Sequence, residues 1–248
     1  MQRRYDKIFS SALGREMEML TYGHNGAPII AFPSWGSRFY EWEDNEMVNT
    51  LAPLLSEGKI RLYCVDSIDN ETWLHKRLDP HWRAVQHTAY QQYIIDQLIP
   101  YIRVDCEDEE ARIATVGCDL GAYHAVNFTL KFPELFHYTL GMSGVYDIDT
   151  LIGEKSESLE IYYNNPLAYL PNLEGTERDR VKDNTHIAIV CGEGAWDERS
   201  LSEAHRLHEQ LEAKKVSCEL DVWGYDVTPD WYWWRKQLIY HINKKFSL

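Results

Sequence analysis

The sequence predicts an α/β fold, built as a doubly wound, mostly parallel sheet with helices on both faces. Six short apolar runs of strand length recur along the 248 residues, and most of them end in Gly, Pro, Asp or Ser. Segments with helical periodicity lie between these runs. Strands that alternate with helices in this way form parallel sheets with right-handed crossovers. We expect a single domain over residues 1–248, because this length suits one α/β domain.

The predicted elements follow a regular order along the chain. Residues 15–22 alternate polar and apolar side chains, which predicts a half-exposed antiparallel edge strand. The core strands are predicted at residues 27–32, 60–65, 113–116, 138–142, 186–191 and 218–223. Helices are predicted at residues 44–55, 81–103, 122–132, 200–215 and 230–246. Residues 153–185 are rich in Glu, Asn, Pro and Gly, and predict an irregular, lid-like insertion over the sheet.

The composition limits the partners and the compartment. The 25 basic and 39 acidic residues give a net charge of −14, which repels nucleic acid. No apolar stretch is long enough to cross a bilayer, and no apolar core follows the basic N-terminal residues as in a secretory signal. The five cysteines are odd in number and form no CxxC motif, which indicates free thiols in a reducing compartment. We therefore expect a cytoplasmic protein with no nucleic-acid partner, no membrane partner and no cofactor.

One motif at the carboxyl end of a predicted strand carries chemical information. Residues 117–121 read G-x-D-x-G between a strand and a helix, with Asp119 at the centre. Glycines on both sides of a central residue are typical of the nucleophile elbow of α/β-hydrolases, where the crowded turn projects the central side chain. The alternative is a glycine-bounded turn in which Asp119 is the N-cap of the helix.

Other loops at the same edge of the sheet hold the remaining candidates. In this fold the residue after the elbow, here Leu120, and the loop after an earlier strand supply the oxyanion hole. The Gly36 region fits that second position, although the large side chain of Trp35 competes for the space. The alternative is a packed loop in which Arg38 pairs with a nearby acid.

A triad acid and a triad histidine are expected in the last two loops. Asp197 and Glu193 are candidates for the acid, and a solvated acid that caps the next helix is the alternative. The last loop contains no histidine. Pro229 precedes a helix start there, and Trp231 and Trp234, three residues apart, are expected to pack inward.

Taken together, six segments resemble the putative-esterase (esterase D-like) family of α/β-hydrolases over about residues 27–240. The segments are FPSWGSRFYEWED, LYCVDSIDNETW, GCDLGAYHAVNF, GMSGVYDI, NNPLAYLPNL and VWGYDVTPDWYWW. The resemblance implies a serine at the elbow, a histidine directly before the Asp-Trp of the last loop, and small residues in the first loop. This sequence has Asp119, Pro229 and Trp35 at those places.

These departures remove both groups that serine hydrolysis requires, a hydroxyl and a base within hydrogen-bond reach. Dehalogenases and epoxide hydrolases of the same fold attack with an aspartate, but they still use a histidine to activate water. His124 lies five residues beyond the elbow, and we expect it to pack structurally.

Two hypotheses follow. The first is a pseudoenzyme that keeps an aromatic-lined pocket, in which Asp119 favours cationic or hydroxyl-rich ligands, or that binds a protein partner. The second is an active carboxylic-ester hydrolase with a non-standard site that uses Asp119. Asp119, Asp197 and Asp226 could also converge with a histidine on a metal, but no spacing requires this and we expect no metal. Self-association through exposed aromatic residues stays open.

Overall fold

A single sheet of eight strands organises the computed structural model, which describes residues 1–153 and 155–246. The strand order across the sheet is β1-β2-β4-β3-β5-β6-β7-β8, and β3 to β8 run parallel. The strands are β1 (Arg3–Ser10), β2 (Arg15–Tyr22), β3 (Ala27–Phe32), β4 (Ile60–Val65), β5 (Ile113–Cys118), β6 (Phe136–Met142), β7 (His186–Gly192) and β8 (Ser217–Trp223). The six predicted core strands are confirmed.

The edge of the sheet differs from the prediction. β2 is antiparallel as expected, but it lies between β1 and β4 and is not the edge. The edge strand is β1, whose side chains alternate between exposed and half-buried positions. Because β1 contains no apolar run, periodicity gives it no strong signal.

The helices follow the predicted rhythm with two exceptions. They are α1 (Glu41–Asp44), α2 (Met47–Thr50), α3 (Ala52–Ser56), α4 (Pro80–Tyr93), α5 (Ile99–Asp105), α6 (Leu120–Lys131), α7 (Ile148–Ile152), α8 (Leu159–Tyr162), α9 (Pro166–Tyr169), α10 (Gly175–Asn184), α11 (Glu198–Ala213) and α12 (Trp231–Phe246). The single helix predicted at 44–55 is α1 to α3, because Glu46 is left-handed and Pro53 lacks the N–H that would continue α2. The long helix predicted at 81–103 is α4 and α5, joined through a π-helical turn.

Helices cover both faces of the sheet, as predicted for a doubly wound fold. Successive residues of β3 point to opposite faces, so Ile29 and Ile30 belong to different core clusters. On one face, α1 to α3 and α12 pack against the sheet through residues such as Trp42 and Leu238. On the other face, α4 to α6 and α11 form the core, with Phe128 and Leu207 among the buried side chains.

The predicted irregular insertion is corrected in its structure. Glu154 lies outside the described residues, and residues 155–185 form α8, α9, a short 3₁₀ turn and α10. Leu167, Tyr169 and Val181 of this segment join a buried cluster with residues of α6 and α11. Periodicity did not reveal these helices, because α8 and α9 are short and α10 buries only Val181. A lid function for this segment stays a prediction.

Two further findings concern the composition. All five cysteines are free, and Cys64, Cys118 and Cys191 are buried, which confirms the free thiols expected from the sequence. In the described part of the chain, no helix combines the length and the apolar character needed to cross a bilayer.

Candidate functional site

The turn between β5 and α6 has the geometry expected of a nucleophile elbow. Asp119 adopts φ 55° and ψ −118°, a conformation that L-residues rarely occupy. A Cβ on Gly117 would lie 2.2 Å from the carbonyl carbon of Gly121, and a Cβ on Gly121 would lie 2.5 Å from the Pro33 carbonyl oxygen. The strand-turn-helix arrangement predicted for this motif is confirmed. Asp119 also stands at the N-cap position of α6, as the alternative expected, but its side chain makes no capping hydrogen bond.

The electrostatics at the elbow are dominated by acids. Burial raises the pKa of Asp119 from 3.8 to about 6. The positive charge of Arg199 opposes this shift, while the charges of Asp197, Glu41 and Asp69 add to it. At neutral pH the Asp119 carboxyl is therefore mostly ionised, and the charges of three acids and of Arg199 act on it.

The two expected sources of the oxyanion hole differ in whether a backbone N–H already has an acceptor. The side chain of Leu120 is buried. Its backbone N–H is at the first position of α6, where no intrahelical acceptor is available. In the first loop, the buried Glu41 carboxylate accepts hydrogen bonds from Ser34 N (2.7 Å) and Ser34 Oγ (2.6 Å). The Glu41 carboxyl therefore occupies one backbone donor of the loop from which an oxyanion-hole N–H is expected.

Trp35, Gly36 and Arg38 do not form one constellation. Trp35 is exposed, and the Arg199 guanidinium lies 5.7 Å from the centre of its ring. The Gly36 carbonyl accepts a hydrogen bond from Asn70 Nδ2 at 2.7 Å. Arg38 pairs with Glu18 and Asp66 (Nε to Oδ1, 2.7 Å), so the alternative of a paired arginine is confirmed. Arg38 and Gly36 line one cavity of about 250 Å³, and neither Trp35 nor Asp119 is among its lining residues.

Asp197 occupies the position expected of a triad acid. It is fully buried at the start of α11, and its Oδ2 accepts hydrogen bonds from Gly192 N (2.8 Å) and Ser143 Oγ (3.1 Å). Trp234 Nε1 in turn donates to Ser143 Oγ at 3.2 Å. Asp197 stands at the N-cap position of α11, but its carboxyl is buried and not solvated, and it makes no capping hydrogen bond. Glu193 is exposed.

The last loop is fixed without a histidine. After Pro229, Asp230 Oδ1 accepts from Tyr232 N (2.9 Å) and Trp233 N (3.1 Å) at the start of α12. Trp234 is buried as predicted, whereas Trp231 is half-buried, with its ring centre 4.9 Å from that of Trp234. Both rings contact the core cluster on this face of the sheet.

His124 has a structural environment. It is completely buried, and its Nε2 lies 2.8 Å from Asp69 Oδ1. Its ring stacks on His87 and Phe128, with centre distances of 5.3 and 5.8 Å. The structural packing expected from the sequence is confirmed.

A comparison with family models agrees with this fold. A family model described as "Putative esterase" matches residues 10–244. The chain belongs to this esterase family. Among curated proteins, no sequence matches the chain.

Three solved structures resemble the chain over nearly its whole length. A ferulic acid esterase gives a TM-score of 0.76 at 14% identity and covers 99% of this chain and 98% of its own. MPT51 of Mycobacterium tuberculosis gives 0.78 at 12% identity, with 100% and 98% covered. An S-formylglutathione hydrolase from Agrobacterium tumefaciens gives 0.75 at 12%, with 99% and 94% covered. At these identities the likeness establishes the α/β-hydrolase fold.

The three aspartates considered for a metal do not form a site. Within residues 1–153 and 155–246, no group of three or more His, Cys, Asp or Glu side chains is arranged to hold a metal ion. Asp226 is exposed in the last loop, whereas Asp197 is buried among hydrogen-bond donors.

Sequence reasoning missed four residues that shape the site, namely Glu41, Asp69, Ser143 and Arg199. Glu41, at the start of α1, is seven residues after Ser34, so a short-range acid–hydroxyl pair was a readable signal. The other three act on the site from separate loops and helices. Nothing in their local sequence indicates that convergence.

Proposed function

We propose that this member of the esterase family has lost serine-esterase chemistry and binds a small cationic or hydroxyl-bearing ligand at the elbow. The observation that carries the proposal is the Asp119 carboxyl, which stands in the elbow conformation where the family resemblance implies a serine hydroxyl. A carboxylate there offers acceptors to a cation or a hydroxyl and repels an anionic substrate.

The missing base supports the loss of hydrolysis. Proline at 229 can neither accept nor donate a proton through its side chain, and the His124 ring is engaged with Asp69 in the core. Removal of the serine or of the histidine alone costs about six powers of ten in kcat in a serine protease, and here neither is present at its slot.

The proposed ligand class follows from the charges that act on Asp119 and from the exposed aromatic residues at the same edge of the sheet. Arg199 is the one cation among the groups that shift the pKa of Asp119, against three acids. Trp35, Trp196 and Tyr225 are exposed in the loops that follow β3, β7 and β8, and parallel strands end at one edge of the sheet. Exposed aromatic faces beside carboxylates suit cations and the apolar faces of hydroxyl-rich molecules.

An active carboxylic-ester hydrolase that uses Asp119 is the second candidate. The strained backbone of Asp119 and the Leu120 N–H at the start of α6 favour it, since they match the placement of a nucleophile. Attack of the carboxylate on an ester carbonyl would expel the alcohol and leave an acid anhydride on Asp119, which water must then open. Pro229 supplies no base for that second step.

The deciding experiment compares hydrolysis of p-nitrophenyl acetate and butyrate by the natural protein, Asp119→Asn, and the double variant Asp119→Ser, Pro229→His. We expect the natural protein and Asp119→Asn to give the same background rate, and the double variant to exceed both. Turnover by the natural protein that Asp119→Asn abolishes would overturn the proposal in favour of the second candidate.

A second experiment measures the binding of benzyltrimethylammonium and of benzyl alcohol by calorimetry. We expect binding by the natural protein and about tenfold weaker binding of the cation by Asp119→Asn, because a charged partner is lost. Equal affinity in both proteins, or no binding of either probe, would refute the elbow as the ligand site.

A further inference from the structure

One cavity of the structure lies away from the elbow. It has a volume of about 420 Å³ and opens between the end of α6 and the helices of the insertion. Tyr162, Tyr163 and Tyr169 line it together with Phe132, Leu173 and Lys131. We call it the tyrosine cavity. Because α6 begins at the elbow and rises about 1.5 Å per residue, its 12 residues place the cavity roughly 18 Å from Asp119.

Lys131 is the cation of the tyrosine cavity and has no anionic partner in the described part of the chain. Its Nζ donates to Asn164 Oδ1 at 3.0 Å, and no carboxylate there lies within ion-pair distance. Glu177, which also lines the cavity, is engaged with Arg180 at 2.6 Å. Burial lowers the pKa of Lys131 to about 8, so the ammonium form is desolvated but still populated at neutral pH.

The neutral partner of Lys131 is itself held in place. Asn164 is buried, and its side-chain Nδ2 donates to the backbone carbonyl of Glu160 at 2.8 Å. The backbone carbonyl of Asn164 accepts a hydrogen bond from Tyr123 Oη at 2.8 Å. The amide oxygen that faces Lys131 is therefore fixed, which positions the ammonium group. An ammonium has three donors, so two remain for a ligand.

We propose that the tyrosine cavity is a second binding site, which takes a small molecule with an aromatic body and a single carboxylate. The carboxylate pairs with the Lys131 ammonium, and the aromatic body lies among the rings of Tyr162, Tyr163 and Tyr169. The volume is in the range of small-molecule sites. This site goes beyond the proposed elbow function and has the opposite charge preference.

A monoanion fits better than a phosphate. Lys131 is the basic side chain among the residues that line the cavity, and no arginine is among them. A single lysine provides few donors for a dianion, and bidentate recognition of phosphate usually uses the planar guanidinium of arginine. The net charge of −14 also disfavours a doubly charged ligand, whereas a single carboxylate balances the charge of the Lys131 ammonium.

The test is a calorimetric titration with 2-naphthoate and with its uncharged counterpart 2-naphthamide. We expect submillimolar binding of the acid, and binding of the amide that is weaker by about tenfold to a hundredfold, the usual range for a hydrogen bond to a charged group. If the acid does not bind, or if acid and amide bind equally, the proposal is wrong.

Lys131→Met assigns the site, because it removes the charge and keeps an unbranched apolar stem. We expect it to abolish the preference for the acid. Lys182→Met, at an exposed lysine of the neighbouring α10, is the matched control and should leave the preference intact. Tyr163→Ala tests the aromatic wall of the cavity, and we expect it to weaken the binding of both probes.

Asp119→Asn separates this site from the elbow, and we expect it to leave naphthoate binding unchanged. Naphthoate binding that survives Lys131→Met, or that is lost in Asp119→Asn, would overturn the proposal. Either result would leave the esterase assay on the elbow unaffected.

Discussion

Asp119 combines a strained backbone with a desolvated charge, and both features oppose folding. Its φ of 55° belongs to a conformation that costs of order 1–3 kcal/mol for an L-residue. Its carboxyl is ionised at neutral pH next to Asp197, Glu41 and Asp69. A residue that served only the fold would not be expected here, since an uncharged side chain would remove the second cost. This is the physical argument for a ligand that uses the charge.

The cost of this charge predicts a pH-dependent stability difference for Asp119→Asn. The folded-state pKa of about 6 lies above the ordinary value of 3.8, so the folded protein binds more protons between these pH values. The natural protein therefore loses stability as pH rises through this window. At pH 7.5, the free energy of unfolding should be higher in Asp119→Asn by roughly 2–3 kcal/mol, and the gain should vanish near pH 4.

Urea denaturation at both pH values measures the effect. Asp226→Asn is the control, because it makes the same chemical change at an exposed acid of a nearby loop. A gain that is equal in both variants, or a loss of stability in Asp119→Asn, would contradict the assignment of the cost to burial at the elbow.

How much of the site was readable from the sequence depends on how local each signal is. Asp119 and Pro229 were readable, since each lies in a short motif whose neighbours reveal its place in the fold. Arg199 was not, because its effect on Asp119 depends on how the start of α11 is placed relative to the elbow. Asp69 and His124 are 55 residues apart and form their buried contact only in the folded chain.

At the scale of elements, the elbow depends on the close approach of β5, α6 and β3. A Cβ on Gly121 would lie 2.5 Å from the Pro33 oxygen and 2.6 Å from the Phe32 oxygen, both of which are backbone atoms. Since a real side chain cannot approach so closely, the end of β3 and the first turn of α6 would have to separate. The glycine is therefore required by the packing of three elements.

Gly121→Ala should consequently destabilise the protein by more than about 3 kcal/mol, as overpacking at a rigid backbone contact does. Gly224→Ala is the matched control, because the nearest atom to its Cβ would be Asp226 Oδ1 at 3.2 Å, the end of an exposed side chain. Urea denaturation compares the two variants. Losses of similar size would show that the contact with β3 does not limit the elbow.

Elements with a strong pattern were predictable, and those with a weak pattern were not. β3 and β5 are continuous apolar runs, so both periodicity and length identify them. β1 has no such run, and its pairing with β2 supplies the stabilisation that its sequence does not reveal. The division of residues 44–55 into three helices depends on the left-handed Glu46, which periodicity does not detect.

At the scale of the whole molecule, the acidic excess is the dominant long-range property. Ion pairs such as Arg3–Glu43 and Arg180–Glu134 are exposed on both partners, and pairs of this kind contribute little to stability. The net charge of −14 acts over the entire surface, and its self-repulsion is highest where acids cluster, as at the elbow.

Added salt should therefore stabilise the protein. Raising the ionic strength from about 0.01 M to about 0.1 M shortens the screening length from about 30 Å to about 10 Å, which weakens repulsion between distant acids more than attraction within close pairs. We expect Tm at pH 7.5 to rise in sodium chloride, as measured by calorimetry.

Tetramethylammonium chloride provides the control, since screening alone gives the same rise in both salts. A further rise with tetramethylammonium that Asp119→Asn removes would reveal cation binding at the elbow, whereas a fall in Tm would mean that the surface ion pairs outweigh the acidic excess.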